Sequence, residues 1–455
     1  MFTREFLDTI MKAYDVRGLV DEEITPDFTF ALGAAFAQFL MEEREPATVV
    51  IGEDMRPSSP LLAQAFADGV TSQGFDAIRI GLASTDMAYF ASGKLNLPGA
   101  MFTASHNPAE YNGIKLCKSA ARPIGQETGL RRIRDLLVEG VPLSTRAMGR
   151  VTEEDMLTDY VDFLLSIFGA ELTSAERRLK VVIDAGNGMA GHTAPAVMAK
   201  LNVEMIPMYF ELDGTFPNHE ANPIDPANVA DLQKAVKKHK ADIGLAFDGD
   251  ADRCFLIDET GAIVTPSTLT SLIAVRELKR KPGSAVIYNL ISSKAVPEVI
   301  TENGGKPIRS RVGHSYIKAM MAETGAVFGG EHSGHFYFSD FWRADSGMLA
   351  ALFALAELAG SSKSLSELLK PYNRYVVSGE INTRVADAQA SLNLIRESFR
   401  QDYEIDELDG VTVSADEWWF NVRPSNTEPL LRLNVEANNE ATLKIVREKV
   451  LELIG

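Results

Sequence analysis

Three times along this chain an apolar run breaks off into a loop of small, polar and charged residues. Ala100-Met101-Phe102 leads into Thr-Ala-Ser-His, Gly244-Leu245-Ala246-Phe247 into Asp-Gly-Asp-Ala-Asp, and Ala326-Val327-Phe328 into Gly-Gly-Glu-His-Ser. Short, continuously apolar runs bounded by turn residues are the pattern of strands buried on both faces, as in parallel sheets. Parallel strands need helical crossovers, and the intervening segments carry helical periodicity. The spacing predicts strands at 48–52, 76–80 and 100–102 with a helix capped at Ser58 or Ser59 and another over 86–95. A second set of strands is expected at 179–183, 203–208 and 241–247, and a third at 254–257, 285–289, near Pro307 and at 326–329, closed by a long helix over 345–359. The tail differs: strand patterns at 376–383, 410–414, 418–423 and 430–436 share it with two helices, which reads as α+β on an antiparallel sheet. The expectation is an α/β chain of three similar mixed or parallel α/β/α domains (1–147, 148–253, 254–368) and a smaller α+β domain (369–455), each giving a loop to a central cleft.

Charge narrows the partners. Against 45 basic residues stand 63 acidic ones, a net charge of −18, which disfavours non-specific contact with nucleic acid or anionic membrane and requires any phosphate ligand to be held by local cations. The 2 cysteines, Cys117 and Cys254, make neither a disulfide framework nor a thiolate metal site, and read as reduced core thiols. No signal-peptide pattern opens the chain, and the longest apolar stretch, 347–359, is too short to span a bilayer and is interrupted by Glu357. A cytoplasmic protein acting on small molecules, as a monomer or weak homodimer, is expected.

The loops carry the chemistry. Ser105 and His106 lie where a strand ends, between an Asn107-Pro108 turn and an Asn112-Gly113 turn that hold the serine outward, as a nucleophile or merely as part of a solvated turn. The Gly-x-Ser-x-Gly device of acyl transfer is absent around it. Asp248, Asp250 and Asp252 alternate, so an extended segment points all three to one side, where hard oxygen donors suit Mg²⁺ and would repel one another without a cation. A calcium EF-hand loop is rejected, because its obligatory glycine is Arg253 and a strand follows. Gly186-Asn187-Gly188-Met189-Ala190-Gly191, with Glu211 about 20 residues on, matches a dinucleotide fingerprint, but backbone packing at a tight strand-to-helix turn explains such glycines as well and is favoured. Glu331, Ser333 and His335 suit hydrogen bonding to a polyol, and their spacing fits no zincin motif. His314 opens a helix, where it serves an anion, a proton transfer or only the cap. Arg423, Ser425, Asn426 and Thr427 combine a cationic fork, hydroxyls and backbone donors suited to a phosphate monoester, while the segment after Ala13 places Tyr14, Asp15 and Arg17 close together. Magnesium beside a serine in a phosphate-rich cleft points to phosphoryl transfer.

Thr103-Ala-Ser-His-Asn-Pro108, Asp248-Gly-Asp-Ala-Asp-Arg253, Gly330-Glu-His-Ser-Gly-His335 and Arg423-Pro-Ser-Asn-Thr427, in this order over nearly the whole chain, resemble the motifs of the α-D-phosphohexomutase family, most nearly its phosphomannomutase/phosphoglucomutase branch. The resemblance implies that Ser105 is a phosphoserine, that Mg²⁺ is held by Asp248, Asp250, Asp252 and a phosphate oxygen on Ser105, and that a hexose 1,6-bisphosphate turns end for end between two transfers. It implies sugar contacts from Glu331 and Ser333, with His335 in the same loop, and a grip on the idle phosphate by Arg423, Ser425, Asn426 and Thr427. Tyr14, Arg17, His106, Lys115 and Arg253 match positions around the reacting group, and Lys115 and His314 are the candidates for proton transfer. Departures from the family's pattern are the displaced Lys294, His332 in place of methionine, and Asn426, which favours the mannose branch over phosphoglucosamine mutases. An NAD(P)-dependent oxidoreductase using the glycine turn and a phosphoglucosamine mutase are the competing readings.

Overall fold

The run Gly99–Phe102 is buried at every residue, which only a strand covered on both faces requires. In the computed structural model, which describes residues 2–424 and 430–455 apart from the side chains of Ala170, His314 and Ser315, this run is a central strand of a seven-stranded sheet. Its strands are β1 (Val16–Leu19), β2 (Thr48–Glu53), β3 (Asp76–Leu82), β4 (Gly99–Phe102), β5 (Tyr111–Lys118), β6 (Arg122–Pro123) and β7 (Val151–Glu153). They lie in the order β1-β5-β4-β2-β3-β7, with β6 beside β5. β2, β3, β4 and β7 run parallel, while β5 pairs antiparallel with β4 and β1.

The helix Pro26–Glu42 begins as its sequence dictates, with Thr25 accepting from the Phe28 N–H and proline in the first turn. It crosses the helix Ser59–Ser72 at very short range: a Cβ on Gly33 would sit 2.2 Å from the Phe66 carbonyl, and one on Gly69 2.0 Å from that of Phe30. Phe36, Phe66, Phe102 and Ile133 share the core beneath this crossing.

A second sheet takes the order β12-β11-β10-β8-β9 from β8 (Leu179–Asp184), β9 (Val203–Met208), β10 (Ile243–Phe247), β11 (Cys254–Asp258) and β12 (Ile263–Val264). One sequence expectation changes here. The strand at 254–257, with which the third domain was to open at 254, pairs antiparallel with β10 from Phe247↔Cys254 to Ile243↔Asp258 and so belongs to the second sheet. The aspartate loop is the hairpin connection between them, and a hairpin strand stays in the sheet of the strand it follows.

β13 (Ala285–Asn289) pairs in parallel with β14 (Lys306–Ser310) and β15 (Phe328–Gly330), and β16 (Phe336–Phe338) pairs antiparallel with β17 (Ala344–Asp345). The helix Gly347–Ala359 follows, capped by the Ser346 side chain and buried nearly all round. The last sheet is wholly antiparallel, β18-β22-β21-β20-β19, from β18 (Val376–Arg384), β19 (Glu404–Asp406), β20 (Val411–Ser414), β21 (Trp418–Pro424) and β22 (Leu430–Ala437). Leu392, Ile395, Val446 and Val450 from two helices close its core. The class is α/β with three mixed α/β layers and an α+β tail.

The chain forms two compact units. One holds the residues up to Thr265 with Met321–Glu323 and Ser333–Glu367, the other Pro266–Met320, Thr324–His332 and Leu368–Gly455. Among the described residues no helix is long and apolar enough to cross a membrane.

Candidate active site

In the first unit, two strand ends meet. β4 stops at Phe102, and Thr103 Oγ1 accepts the Ser105 N–H at 2.9 Å, bending the chain so that Ser105 takes a left-handed φ of +50°. β10 stops at Phe247 and delivers Asp248, Asp250 and Asp252, which are essentially buried. The Ser105 hydroxyl donates to Asp248 Oδ2 at 2.8 Å, and its Oγ lies 3.3 Å from His106 Nδ1. The approach is tight at the backbone too: a Cβ on Gly249 would stand 2.4 Å from the Ser105 carbonyl.

The trio is held by cations from opposite sides. Lys115, on β5, donates to Asp250 Oδ2 at 2.7 Å and to Asp252 Oδ2 at 2.6 Å. Arg253 Nε donates to Asp248 Oδ2 at 2.7 Å, and its backbone N–H to Asp248 Oδ1 at 3.1 Å. Thr85, in the first turn of the helix after β3, adds a hydroxyl to Asp250 Oδ2 at 2.6 Å. Burial pushes the Asp248 carboxyl up, to about 8, with the charges of Asp252 and Asp250 adding to burial and that of Arg253 opposing it. Burial works against Asp250 as well, but the Lys115 ammonium wins and holds it below the usual carboxylate range. Burial likewise disfavours a charged Lys115, and Asp250 and Asp252 outweigh it, so the lysine stays an ammonium ion. His106 is held well below its ordinary value, chiefly by the charge of Arg253.

Two oxygens of the trio, Asp250 Oδ1 and Asp252 Oδ1, are buried and accept no hydrogen bond among the described residues, and Arg253 Nη2 is a buried donor in the same position. One ligand atom from each of the three aspartates lies within 4.8 Å of the others. Three buried carboxylates that each bring an oxygen to within that separation, two of whose oxygens accept no hydrogen bond among the described residues, fit a hard divalent cation such as Mg²⁺. The unpaired guanidinium N–H beside them suits an anionic oxygen.

Ser333 and His335 enter the same site, with Ser333 Oγ 2.9 Å from His335 Nδ1 and His335 Nε2 3.5 Å from Asp252 Oδ1. Their loop docks on the aspartate loop through a backbone bridge between Arg253 and His335. Arg17 reaches Asn107 Oδ1 at 2.6 Å and Asp15 Oδ2 at 2.5 Å, so the early Tyr14-Asp15-Val16-Arg17 segment flanks the serine loop. In the second unit, Glu331 is buried and accepts the Gly313 N–H at 3.1 Å, and Arg423 Nη2 pairs with Glu380 Oε2 at 2.8 Å. His314 opens the helix His314–Thr324, and its side chain lies outside the described residues, as do Ser425, Asn426 and Thr427.

The glycine turn after β8 is accounted for by packing. A Cβ on Gly188 would sit 2.6 Å from the Gly249 carbonyl and one on Gly191 2.4 Å from that of Phe210, so both glycines are needed for backbone contact within the second α/β layer. The turn also braces the aspartate loop, since Met189 N–H donates to the Gly249 carbonyl at 2.8 Å.

Sequence reasoning passed over Arg56 and Asp86. Arg56 is 1 % exposed and donates to the Ser105, Asn107, Pro108 and Tyr111 carbonyls at 2.7–3.0 Å. Asp86 accepts hydroxyls from Tyr160 at 2.7 Å, Ser346 at 2.6 Å and Ser84. The available signal was an Asp-x-Arg placed directly after a strand; nothing in the sequence marked Asp86.

Known sequences resemble the chain along its whole length. It matches the phosphoglucomutase/phosphomannomutase α/β/α domain I over residues 8–139, domain II over 158–261, domain III over 265–375 and the C-terminal domain over 380–453. The second match runs through β11, in agreement with the sheet register. A phosphomannomutase from Salmonella montevideo is 38% identical over 458 residues, covering 98% of this chain and 99% of the relative. A protein named for phosphohexose mutases from Xanthomonas campestris pv. campestris is 40% identical over 436 residues, covering 95% and 96%. Among solved structures, a phosphoglucomutase/phosphomannomutase family protein from Burkholderia thailandensis superposes with a TM-score of 0.90 at 30% identity, covering 100% of this chain and 97% of the other.

Proposed function

The chain belongs to the phosphoglucomutase/phosphomannomutase family, and from that premise we propose that it interconverts hexose 6-phosphate and hexose 1-phosphate through a phosphorylated Ser105 and a bound hexose 1,6-bisphosphate. Mannose is the main sugar and glucose a second. The observation that carries the reading is the Ser105 hydroxyl 2.8 Å from Asp248 in a buried trio with two oxygens that accept no hydrogen bond among the described residues.

In the first half-reaction the bond between Ser105 Oγ and phosphorus breaks, and phosphorus bonds to the free hydroxyl oxygen of the hexose phosphate, which gives up its proton. After the bisphosphate turns, its other phosphoryl group returns to Ser105 Oγ, and the oxygen it leaves regains a proton. Asp248, Asp250, Asp252 and Ser105 would hold Mg²⁺, which when bound neutralises charge on the phosphoryl oxygens. Arg253 Nη2 offers an unpaired donor to the same oxygens. Lys115, kept an ammonium by Asp250 and Asp252, is placed to donate a proton rather than to accept one. His106, held neutral beside Oγ, orients the hydroxyl, and Arg17 fixes Asn107 of the same loop. That leaves His314, the other candidate for proton transfer, to accept the proton.

Tyr14, Glu331, Ser333 and His335 read the sugar, and Arg423 with Ser425, Asn426 and Thr427 holds the phosphate that is not moving. A chain of net charge −18 needs such local cations to hold a dianionic substrate. The protein works in the cytoplasm as a monomer or weak homodimer. Coupled assays with mannose 1-phosphate, glucose 1-phosphate and glucosamine 1-phosphate test the reading: mannose 1-phosphate is converted fastest, and Ser105→Ala loses conversion of every substrate. A Ser105→Ala enzyme with undiminished turnover, or a wild type selective for glucosamine 1-phosphate, contradicts it.

A further inference from the structure

We propose that Arg56 is the positioning residue of the serine loop: its guanidinium is the template on which the loop's carbonyls are arranged, and through them it aims Ser105 Oγ at Asp248. The inference rests on Ser105 as the phosphoryl carrier.

A guanidinium has five N–H donors in a planar fork. Here the two terminal nitrogens spend their donors on the loop. Nη2 reaches the Ser105 carbonyl at 3.0 Å and that of Asn107 at 2.7 Å, while Nη1 reaches the Pro108 carbonyl at 2.7 Å and that of Tyr111 at 2.9 Å. Nε lies 3.3 Å from Asp54 Oδ2, and Asp54 is itself fixed by the Ser59 hydroxyl at 2.6 Å and the Arg56 N–H at 3.0 Å. Carbonyls from residues 105, 107, 108 and 111 facing one point is not an arrangement that a helix or a ladder provides. Between β4 and β5 the chain has no regular structure, and Ser105 adopts a backbone conformation that non-glycine residues rarely take. Such a conformation persists only where the surroundings over-determine it, and beside Thr103 Oγ1, which takes the Ser105 N–H, the guanidinium supplies that constraint from the carbonyl side.

The fork is in turn held in place from the second α/β layer. The Phe216 ring lies over it at 5.2 Å, and the loop bearing Phe216 comes so close that a Cβ on Gly214 would stand 2.7 Å from the Arg56 Cα. Arg56 therefore ties together the end of β2, the loop after β4 and the segment after β9. Charge alone does not account for this: a lysine would keep the ion pair with Asp54, but it lacks the planar fork that meets four carbonyls at once.

Wild type, Arg56→Lys and Arg56→Gln are compared with Mg²⁺ and ³²P-labelled hexose 1,6-bisphosphate, reading label on Ser105, kcat and KM for mannose 1-phosphate, with folding checked by circular dichroism. The expected result is a folded Arg56→Lys enzyme whose kcat and labelling rate fall about 100-fold, as for a small misplacement of a reacting group, while KM changes little, and an Arg56→Gln enzyme no better. Arg56→Lys with wild-type labelling and kcat, or a rise in KM at unchanged kcat, overturns the proposal. If Arg56→Lys does not fold, Phe216→Leu, which removes the ring and no hydrogen bond, takes its place: a lower kcat at constant KM supports the proposal and unchanged kinetics overturn it. A wild type that takes up no label at Ser105 removes the carrier on which the inference rests, which is distinct from a labelled wild type with equally labelled variants, where Arg56 alone is wrong.

Discussion

Asp86 is a buried carboxyl that accepts hydrogen bonds from three hydroxyls, so its ionisation sets a local term in stability. Burial raises it from the usual 3.8 to about 6, the hydroxyl donors of Ser346, Ser84 and Tyr160 opposing the rise. A raised folded value means that the native state keeps a proton the unfolded chain has released, so stability falls as pH climbs from about 4 to about 6 and then levels off. For a shift of this size the loss is about 3 kcal/mol. Denaturant unfolding of wild type and Asp86→Asn across pH 4 to 7 checks it: the variant lacks this decline, and parallel pH curves contradict the assignment. Legibility divides sharply at this scale. Ser105 and the aspartates show in the sequence because chemistry-bearing residues at the ends of apolar strands have few structural reasons to be there. Arg56 and Asp86 do not, because their partners are backbone carbonyls and hydroxyls that only the fold brings near, such as Ser346, which is 260 positions from Asp86.

Among elements, the crossing of the helices Pro26–Glu42 and Ser59–Ser72 is set by glycine rather than by large apolar side chains. Gly33→Ala drives a methyl against the Phe66 carbonyl, a backbone atom that cannot swing aside. Overpacking of this kind costs roughly 1–3 kcal/mol, so Gly33→Ala should lower the melting temperature. A melting temperature equal to wild type refutes the close approach. Strand and helix periodicity was readable almost throughout, and the antiparallel tail was distinguished from the layers before it. The assignment of β11 was not readable, because its apolar pattern is the same whether it opens a new sheet or folds back on the old one; only pairing with β10 decides. The glycine turn after β8 was ambiguous for a similar reason, since a glycine that admits a phosphate and one that admits a neighbouring carbonyl look alike until the neighbour is known.

At the scale of the whole molecule, the α/β layers share one device: a parallel strand ends, and the loop beyond it carries polar and charged side chains. In the first unit this brings Ser105, Lys115, Arg253, His335 and the three aspartates to one place, although they are spread over more than half the chain. The four-part organisation and the family were legible because long-range order is preserved in the succession of motifs, whereas contacts made through the backbone leave little trace in residue type. The proposed chemistry turns on Ser105 as the carrier of the phosphoryl group. Incubating the protein with Mg²⁺ and ³²P-labelled hexose 1,6-bisphosphate, then mapping the label by peptide, measures this directly. Label is expected on the peptide containing Ser105, discharged by adding unlabelled hexose 6-phosphate; label on another residue, or no label in an enzyme that turns over, rules Ser105 out as the carrier.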